Sequence, residues 1–583
     1  MKHVTIDFET HPIVPGSPTS PRPVGVAIRM GGKSKYGAWG HPSGNNTTKP
    51  EAFALLEWLC AHTRLVMHNA QFDLRVLDEH FGLRPMNGFD DTKILAFLWS
   101  PNHRTLSLKP LADELLKLPP DEQDEMHDWL RQNYLPARRA SNPTKYTAFA
   151  PGALAGKYAR GDVDRTWKLY RKLYPIIRAW GMGEAYQREL AVVWPTIKME
   201  QGGVRIDAER LADDLKKVKV IRSGLGGGLT RRLGQAGKDV NLNSRQQLAN
   251  ALHDNHMMVD DTFLLTDKGN ESVSIPALRE TCTDQKFVDD LELHSKLGKL
   301  IGTYMTPWLE SAETNDGYFY PYFNPTRVDA ESGGTRTGRY SSNFQQVPKE
   351  PFKGLPFMRR YVLPDEGQTL VDRDYSQQEL RILAHFAGGE LAAAYRADPM
   401  LDMHDHVQAL MKPHVPGIQR KQVKTCNFLT VYGGGVNRLA DQLGVPYDVA
   451  QDIREAHKSA LPEVDQLNRR LRDQHQRDGF IRTWGGRKYA LEYDQWYKLL
   501  NVLIQGSAAD QTKEAIIRFD DQAEVGGANA RLMVQVHDEL VISAPGQGLK
   551  YSGTLKRAME TIPGWSVPML TDVTYGASWG DAK

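Results

Sequence analysis

Acidic residues placed at the ends of apolar strands constrain this chain more than any other feature. Thr369-Leu370-Val371-Asp372 reads as a strand that runs into Asp374-Tyr375-Ser376-Gln377-Gln378-Glu379-Leu380-Arg381. Farther on, Val534-Gln535-Val536 and Leu540-Val541-Ile542 form apolar arms around His537-Asp538-Glu539. This second pattern predicts a hairpin over 532–543 with Asp538 at its tip. Carboxylates on neighbouring buried strands repel each other unless cations lie between them. Asp374 and Asp538 therefore predict a clamp for two magnesium ions across an incoming triphosphate and an attacking hydroxyl, as in-line phosphoryl transfer requires.

Between these acids runs Arg420-Lys421-Gln422-Val423-Lys424-Thr425-Cys426-Asn427-Phe428, continuing to Tyr432. Steps of four keep Arg420, Lys424, Phe428 and Tyr432 on one broad helix face. Two cations followed by two aromatics match the length of a nucleotide: phosphates at one end, sugar and base at the other.

A second acid set opens the chain. Asp7 and Glu9 are two apart on an expected strand and share a face. Asn69-Ala70-Gln71-Phe72-Asp73 follows the next strand, and Tyr158 and Asp162 are four apart on an expected helix. Asp164 lies about 200° around that helix from Asp162 and is read as structural. Hard oxygen donors favour magnesium or manganese over zinc. The set resembles the proofreading 3′→5′ exonucleases built on four acids and a tyrosine. By that resemblance Asp7, Glu9, Asp73 and Asp162 hold metal and Tyr158 orients the attacking water.

At 583 residues the chain predicts two to four compact units. Its net charge of +2 does not by itself point to nucleic acid. Local charge is more telling. Lys216, Lys217, Lys219, Arg222, Arg231, Arg232 and Lys238 crowd one stretch, and Arg336, Arg339, Lys349, Lys353, Arg359 and Arg360 another. Cys60, Cys282 and Cys426 are odd in number and lack metal-ligand spacing, as expected in a reducing cytoplasm. The start carries no charged-then-apolar leader and no run approaches membrane-spanning length, so neither secretion nor a membrane partner is expected. Residues 1 to about 180 read as alternating strands and helices. Residues 185–320 read as mainly helical, with a hinge or linker expected at Gly224-Leu225-Gly226-Gly227-Gly228.

The motif around Asp374, the helix with Lys424, the motif around Asp538, Thr337-Gly338-Arg339-Tyr340-Ser341-Ser342 and Gln505-Gly506-Ser507-Ala508-Ala509-Asp510 stand in one order. Together they closely resemble family A DNA polymerases, the group of bacterial DNA polymerase I and related phage enzymes. The resemblance implies a multidomain α/β and α+β chain: an RNase H-like 3′→5′ exonuclease domain over 1–183, then a right-hand polymerase. Its thumb would span 184–325, its palm 326–390 and 495–583, and its fingers 391–494. The implied roles are metal binding by Asp374 and Asp538, and triphosphate contacts by His404, Arg420 and Lys424. Phe428 would pack the sugar, and Glu379, backed by Tyr432, would exclude a 2′-hydroxyl. His537 and Glu539 would lie beside the primer terminus, and Arg339, Asn501 and Gln505 would face the minor groove, whose acceptors stand alike for every pair.

The implied cofactors are two Mg2+ ions at each site, with Mn2+ as a substitute. The implied partners are primer-template DNA, dNTPs and replication proteins such as a helicase, a primase or a single-strand-binding protein. Asp372-Arg373 stand where the family pattern has small residues, which makes Asp372 a rival ligand with Asp374 preferred. Tyr497 also departs from that pattern, and no 5′-nuclease domain precedes Asp7, as in phage replication enzymes acting in a bacterial cytoplasm. Intact Asp374, Lys424 and Asp538 argue against a nuclease with an inert platform. Glu379 and the acid set at the start argue against an RNA polymerase.

Overall fold

The computed structural model describes residues 1–233, 240–266, 268–326, 335–351, 355–525, 530–546 and 548–582. The first part of the chain builds a five-stranded sheet from β1 (His3–Thr10), β2 (Pro23–Met30), β3 (Lys33–Ala38), β4 (Arg64–Met67) and β5 (Phe89–Asp91). The order is β3-β2-β1-β4-β5, with β1 antiparallel to β2 and parallel to β4. Six helices accompany it: α1 (Lys49–His62), α2 (Ala70–Phe81), α3 (Thr92–Trp99), α4 (Leu108–Leu116), α5 (Asp121–Asn133) and α6 (Gly152–Ala179). Val4, Ile6 and Phe8 alternate into one core with Leu74, Leu77 and Leu173. The intervening Asp7 and Glu9 turn to the opposite face, as the period of a strand dictates. There the residues of α6 are small, Ala155, Gly156 and Ala159. A Cβ at Gly156 would come within 2.9 Å of the Tyr36 ring, so the glycine lets α6 lie close enough to the sheet for Tyr158 and Asp162 to reach β1.

Contacts divide the chain into two compact units. One comprises Met1–Gly203, Tyr320–Gln346 and Glu366–Tyr575, and the other Val204–Phe319, Val347–Asp365 and Gly576–Lys583. Within the first, a four-stranded sheet holds, in order, the strands Arg531–Val536, Glu539–Pro545, Gln368–Tyr375 and Thr571–Gly576. The hairpin expected over 532–543 is present, and its second arm pairs antiparallel with Gln368–Tyr375, setting Asp374 opposite Glu539. Helices from Gln378–Ala387 to Pro462–Asp478 form a separate apolar cluster.

In the second unit the expected hinge is absent: Gly224 to Gly228 lie inside one helix, Ala208–Arg232. Glycine costs a helix roughly 1 kcal/mol per residue, yet the helix runs through all four, with open space at the Cβ positions of Gly224, Gly227 and Gly228. Thr230 Oγ1 donates to the Gly226 and Gly227 carbonyls at 3.1 and 3.3 Å, and a Cβ at Gly226 would lie 3.4 Å from His294 Nε2. Much of the neighbouring basic stretch is already neutralised. Lys216 and Lys217 pair with Asp213 and Asp214, and Arg232 lies 3.3 Å from Asp290. Lys238 and Lys353 lie outside the described residues.

The first unit also buries a quartet of charges. Lys513 Nζ donates to Glu189 at 2.6 Å and to the Pro325 carbonyl at 2.6 Å, while Arg487 pairs with Asp510 at 2.7 Å. None of these four residues is more than 1% exposed. Such pairs add little when complete but cost much when broken, because the remaining charge has no water. Replacing Lys513 with Ala therefore lowers stability by about 3–5 kcal/mol, measured by urea unfolding. A loss below about 1 kcal/mol would mean that water reaches Glu189.

Two candidate active sites

At the start of the chain, carboxylate oxygens of Asp7, Glu9 and Asp162 lie within 4.8 Å of one another. Among the described residues they are the one such cluster of three. Burial, and then the charge of Asp162, push the Asp7 carboxyl up to about 8. Glu9 and Asp73 are raised well above the usual range by burial and then by Asp7. Burial, followed by Asp162 and Glu9, also raises the Tyr158 hydroxyl. This is a set of acids that a divalent cation would relieve, and its all-oxygen donors suit magnesium or manganese.

Asp73 stands beside the cluster rather than in it, its Oδ1 accepting the Phe8 N–H at 3.0 Å between Asp7 and Glu9. It enters from the first turn of α2, whose start is fixed by Asn69 in the left-handed region at φ +68. Asp91 accepts from the Asn69 and Ala70 N–H groups at 3.1 and 2.7 Å and also caps α3. Asp164 faces away, 3.3 Å from Arg29, as expected of a structural residue.

Sequence reasoning missed Lys109. Its Nζ donates to Asp162 Oδ2 at 2.9 Å and lies 3.7 Å from the centre of the Tyr158 ring. The one signal for it was its position: a lysine in the first turn of a helix opposes the helix dipole.

At the second site, period two puts Asp372 and Asp374 on one face of their strand. Arg373 points the other way, donating to Thr571 Oγ1 at 2.6 Å and Ser552 Oγ at 3.0 Å. Asp372 is 8% exposed and lies opposite Val541, while half-buried Asp374 lies at the open end. There the Tyr375 N–H donates to the Asp538 carbonyl at 3.2 Å, fixing the hairpin tip beside Asp374. His537 makes the tight turn with φ +55, and Glu539 is buried at 2%.

The helix Gln378–Ala387 begins directly after Gln377, itself left-handed at φ +54. Buried Arg381 ties that turn down through the Ser376, Pro568 and Pro399 carbonyls at 2.8, 2.9 and 2.7 Å. Glu379 is thereby presented to Arg339, with which it pairs, and to Tyr432, whose hydroxyl donates to Glu379 Oε2 at 3.3 Å. Gly338 must be glycine for Arg339 to be placed so: φ is +81 and a Cβ would lie 1.6 Å from Arg487 Nη1.

The expected stripe is a helix, Arg420–Val431, with Tyr432 as its cap. Phe428 and Tyr432 stack with ring centres 6.3 Å apart, and Lys424 is exposed. Arg420 is held by Asp402 and, at 2.8 Å, by Asp405. His404 is buried, and burial lowers its pKa. Asn427 donates to its Nδ1 at 2.9 Å and accepts from His457 Nε2 at 2.7 Å, which leaves the His404 proton on Nε2. Asn501 and Gln505 are one turn apart on the helix Leu499–Val525, both half-buried. Tyr497 is 43% exposed, and its carbonyl would lie 2.4 Å from a Cβ at Gly433.

Two family profiles cover the chain in succession. The profile of DNA polymerase family A matches residues 229–581, and that of a 3′-5′ exonuclease matches residues 1–178. The thermostable DNA polymerase I of Thermus aquaticus is 31% identical over 406 residues, 66% of this chain and 47% of that protein. The chain thus spans about half the length of that relative. The DNA polymerase DpoZ of Vibrio phage phiVC8 is 27% identical over 91% of this chain and 89% of its own. The fold is similar to the POL domain of Pol1 from M. smegmatis in complex with DNA primer-template and dNTP. The TM-score is 0.78 at 24% identity, covering 99% of this chain and 96% of that one. With the family A profile covering more than half of the chain, and an exonuclease profile preceding it, the chain belongs to DNA polymerase family A.

Proposed function

We propose that this chain is a template-directed DNA polymerase that adds dNTPs to a primer 3′ end, proofreads with its own 3′→5′ exonuclease, and serves the replication of a phage genome. The observation that carries the reading is the meeting of Tyr432 with Glu379 at 3.3 Å. It brings the cationic and aromatic helix face against the turn that follows Asp374, where the hairpin tip with Asp538 also lies. The phage role is supported by the likeness to the phage polymerase DpoZ, 27% identical over 91% of this chain.

In this reading Asp374 and Asp538 hold Mg2+ at the polymerase site, and Asp7, Glu9, Asp73 and Asp162 hold it at the exonuclease site. When bound, the ions lower the pKa of the attacking oxygen and stabilise the leaving one. The remaining work belongs to side chains. Lys424 meets the triphosphate as a point charge, and Arg420 exchanges Asp402 and Asp405 for phosphate oxygens. His404, its tautomer fixed by Asn427, donates Nε2–H to the same group. Phe428 packs under the sugar while Glu379, braced by Tyr432, fills the 2′ side. Arg339, Asn501, Gln505 and His537 face the primer end, beside Glu539. Tyr158 orients the water at the exonuclease site.

We assign residues 1–183 to the exonuclease, 184–325 to the thumb, 326–390 and 495–583 to the palm, and 391–494 to the fingers. Primer-template DNA, dNTPs and a host-cytoplasmic replication machinery are the corresponding partners. No described helix is long and apolar enough to cross a membrane.

A primer-extension gel with dNTPs, rNTPs and no nucleotide tests the whole reading. Asp374→Ala or Asp538→Ala lowers extension at least about a thousandfold, ~4 kcal/mol of transition-state stabilisation, while digestion of single-stranded 3′ ends continues. Normal extension by Asp374→Ala would move the site, with Asp372 the first candidate. Joint replacement of Asp7 and Glu9 with Ala removes 3′ digestion and raises misincorporation. Digestion that persists in magnesium would sink the exonuclease assignment.

Glu379→Ala raises ribonucleotide use relative to dNTPs by at least about tenfold, ~1.4 kcal/mol. Phe428→Tyr relaxes rejection of 2′,3′-dideoxynucleotides, because its phenolic hydroxyl stands in for the 3′-hydroxyl that such nucleotides lack. Equal dNTP, rNTP and ddNTP selection in both variants and the parent would place the nucleotide on another helix face.

A further inference from the structure

We propose that Lys109 is the resident counter-ion of the Asp7–Glu9–Asp162 cluster, a positioning residue whose ammonium holds Asp162 and Tyr158 and competes with a divalent cation for Asp162. The inference rests on reading that cluster as a metal site. Lys109 Nζ lies 2.9 Å from Asp162 Oδ2 and 3.7 Å from the Tyr158 ring centre, on a side chain 12% exposed. One cation thus touches both residues that α6 contributes to the site. Its own helix works against it: Lys109 stands in the first turn of α4, where exposed N–H groups make a cation unfavourable. What holds a nearly buried ammonium there is the acid cluster it faces.

The neighbouring cation is already committed. Arg165 Nη1 is 3.8 Å from Asp162 Oδ1, but its guanidinium pairs with Glu122 through both nitrogens and donates to the Pro119 carbonyl at 2.7 Å. Arg165 and Glu122 cancel each other, so Lys109 carries the charge that balances the cluster. A carboxylate oxygen that accepts an ammonium at 2.9 Å has that direction occupied. A divalent cation taking Asp162 must displace Lys109 or bind beside a positive charge, and either lowers its affinity. Lys109 thereby keeps the acids in place before metal arrives and sets the metal concentration at which the site fills.

The test is Mn2+ binding to the full-length protein without DNA, read by the electron-spin resonance of free Mn2+. Asp374→Ala and Asp538→Ala are included in every sample to silence the other proposed site. Lys109→Met tightens Mn2+ binding at least roughly tenfold, the repulsion that one charge within about 6 Å of a divalent ion exerts even at the dielectric of water. Lys109→Arg keeps the charge and stays within about threefold of the parent. In EDTA the Met variant melts below the parent, and Mn2+ raises its melting temperature by more. If the Met variant does not fold, Lys109→Gln, which keeps a hydrogen-bond donor, is read the same way. Unchanged or weaker binding on loss of the charge, or equal tightening in the Arg variant, overturns the proposal. A control with Asp7→Ala and Glu9→Ala separates the two levels. If it binds Mn2+ like the parent, the metal-site reading itself fails and takes the inference with it. If it loses binding while the Met variant matches the parent, Lys109 alone was misread.

Discussion

Mutual repulsion among carboxylates held close together in poorly hydrated surroundings is the constraint on which the rest of this structure depends. Three acids with oxygens inside 4.8 Å would spread apart in a flexible chain. Here two are fixed by the pleat of β1, and the third by a long helix packed on the sheet through small residues. Asp73 adds the last restraint by taking the Phe8 N–H, so the backbone between Asp7 and Glu9 cannot rotate away. Raised carboxyl pKa values are the signature of that confinement, Asp7 reaching about 8. The fold supplies rigidity, and the cost of gathering like charges becomes affinity for a cation.

The proposed polymerase site applies the same physics with opposite signs. Its cations are paired with acids of the protein itself: Arg420 with Asp402 and Asp405, Arg339 with Glu379. In the proposed site Arg420 is so held before any phosphate arrives, and exchanging its carboxylate for a phosphate oxygen replaces one charge-assisted bond with another, while Arg339 stays with Glu379. The net gain from each exchange is modest, and order is what the pairing contributes. Asp402 shows how economically this is done, since one oxygen also accepts the His404 and Asp405 N–H groups at 2.8 and 3.2 Å. Moving Asp402 would disturb the helix that carries His404 as well as the arginine opposite.

Local periodicity made much of this legible in the sequence. Asp7 and Glu9 share a face because a strand repeats every two residues. Arg420, Lys424, Phe428 and Tyr432 share one because a helix repeats near four. Asp538 could be placed at a tip because its flanking arms are apolar. Each of these inferences needs a few consecutive residues and nothing else. Two of the three failures involve partners far away in sequence. The glycines at 224–228 looked like a break because propensity disfavours them, yet the helix runs through all of them. Lys109 gave no strong signal because Asp162 and Tyr158 lie on another helix. Nothing local marked Glu189, Arg487 or Lys513, and Asp510 stood only at the end of a motif, yet the four meet from three segments and are buried together.

One geometric device recurs beside the acids and explains why these sites sit where strands end. Asn69, Gln377 and His537 are non-glycine residues with φ of +68, +54 and +55. A side chain in that region strains the backbone by about 1 kcal/mol or more. Asn69 and Gln377 each come just before a helix whose first turn carries a proposed site acid, Asp73 and Glu379. His537 comes just before Asp538. A strand that must turn within one residue, so that the next acid returns toward the strand it has left, has few conformations open to it. The left-handed one makes that turn without lengthening the loop. Glycine would adopt it without strain but would add freedom where the acid must be held. The larger residues are instead anchored: Asn69 Oδ1 accepts from Lys93 at 3.0 Å, and Gln377 Oε1 accepts from Tyr395 and the Met403 N–H at 3.0 and 3.1 Å. The His537 carbonyl accepts from Gln535 at 2.7 Å. Strain in the turn and bonds to its side chain or carbonyl act together, and the position of each acid follows from both.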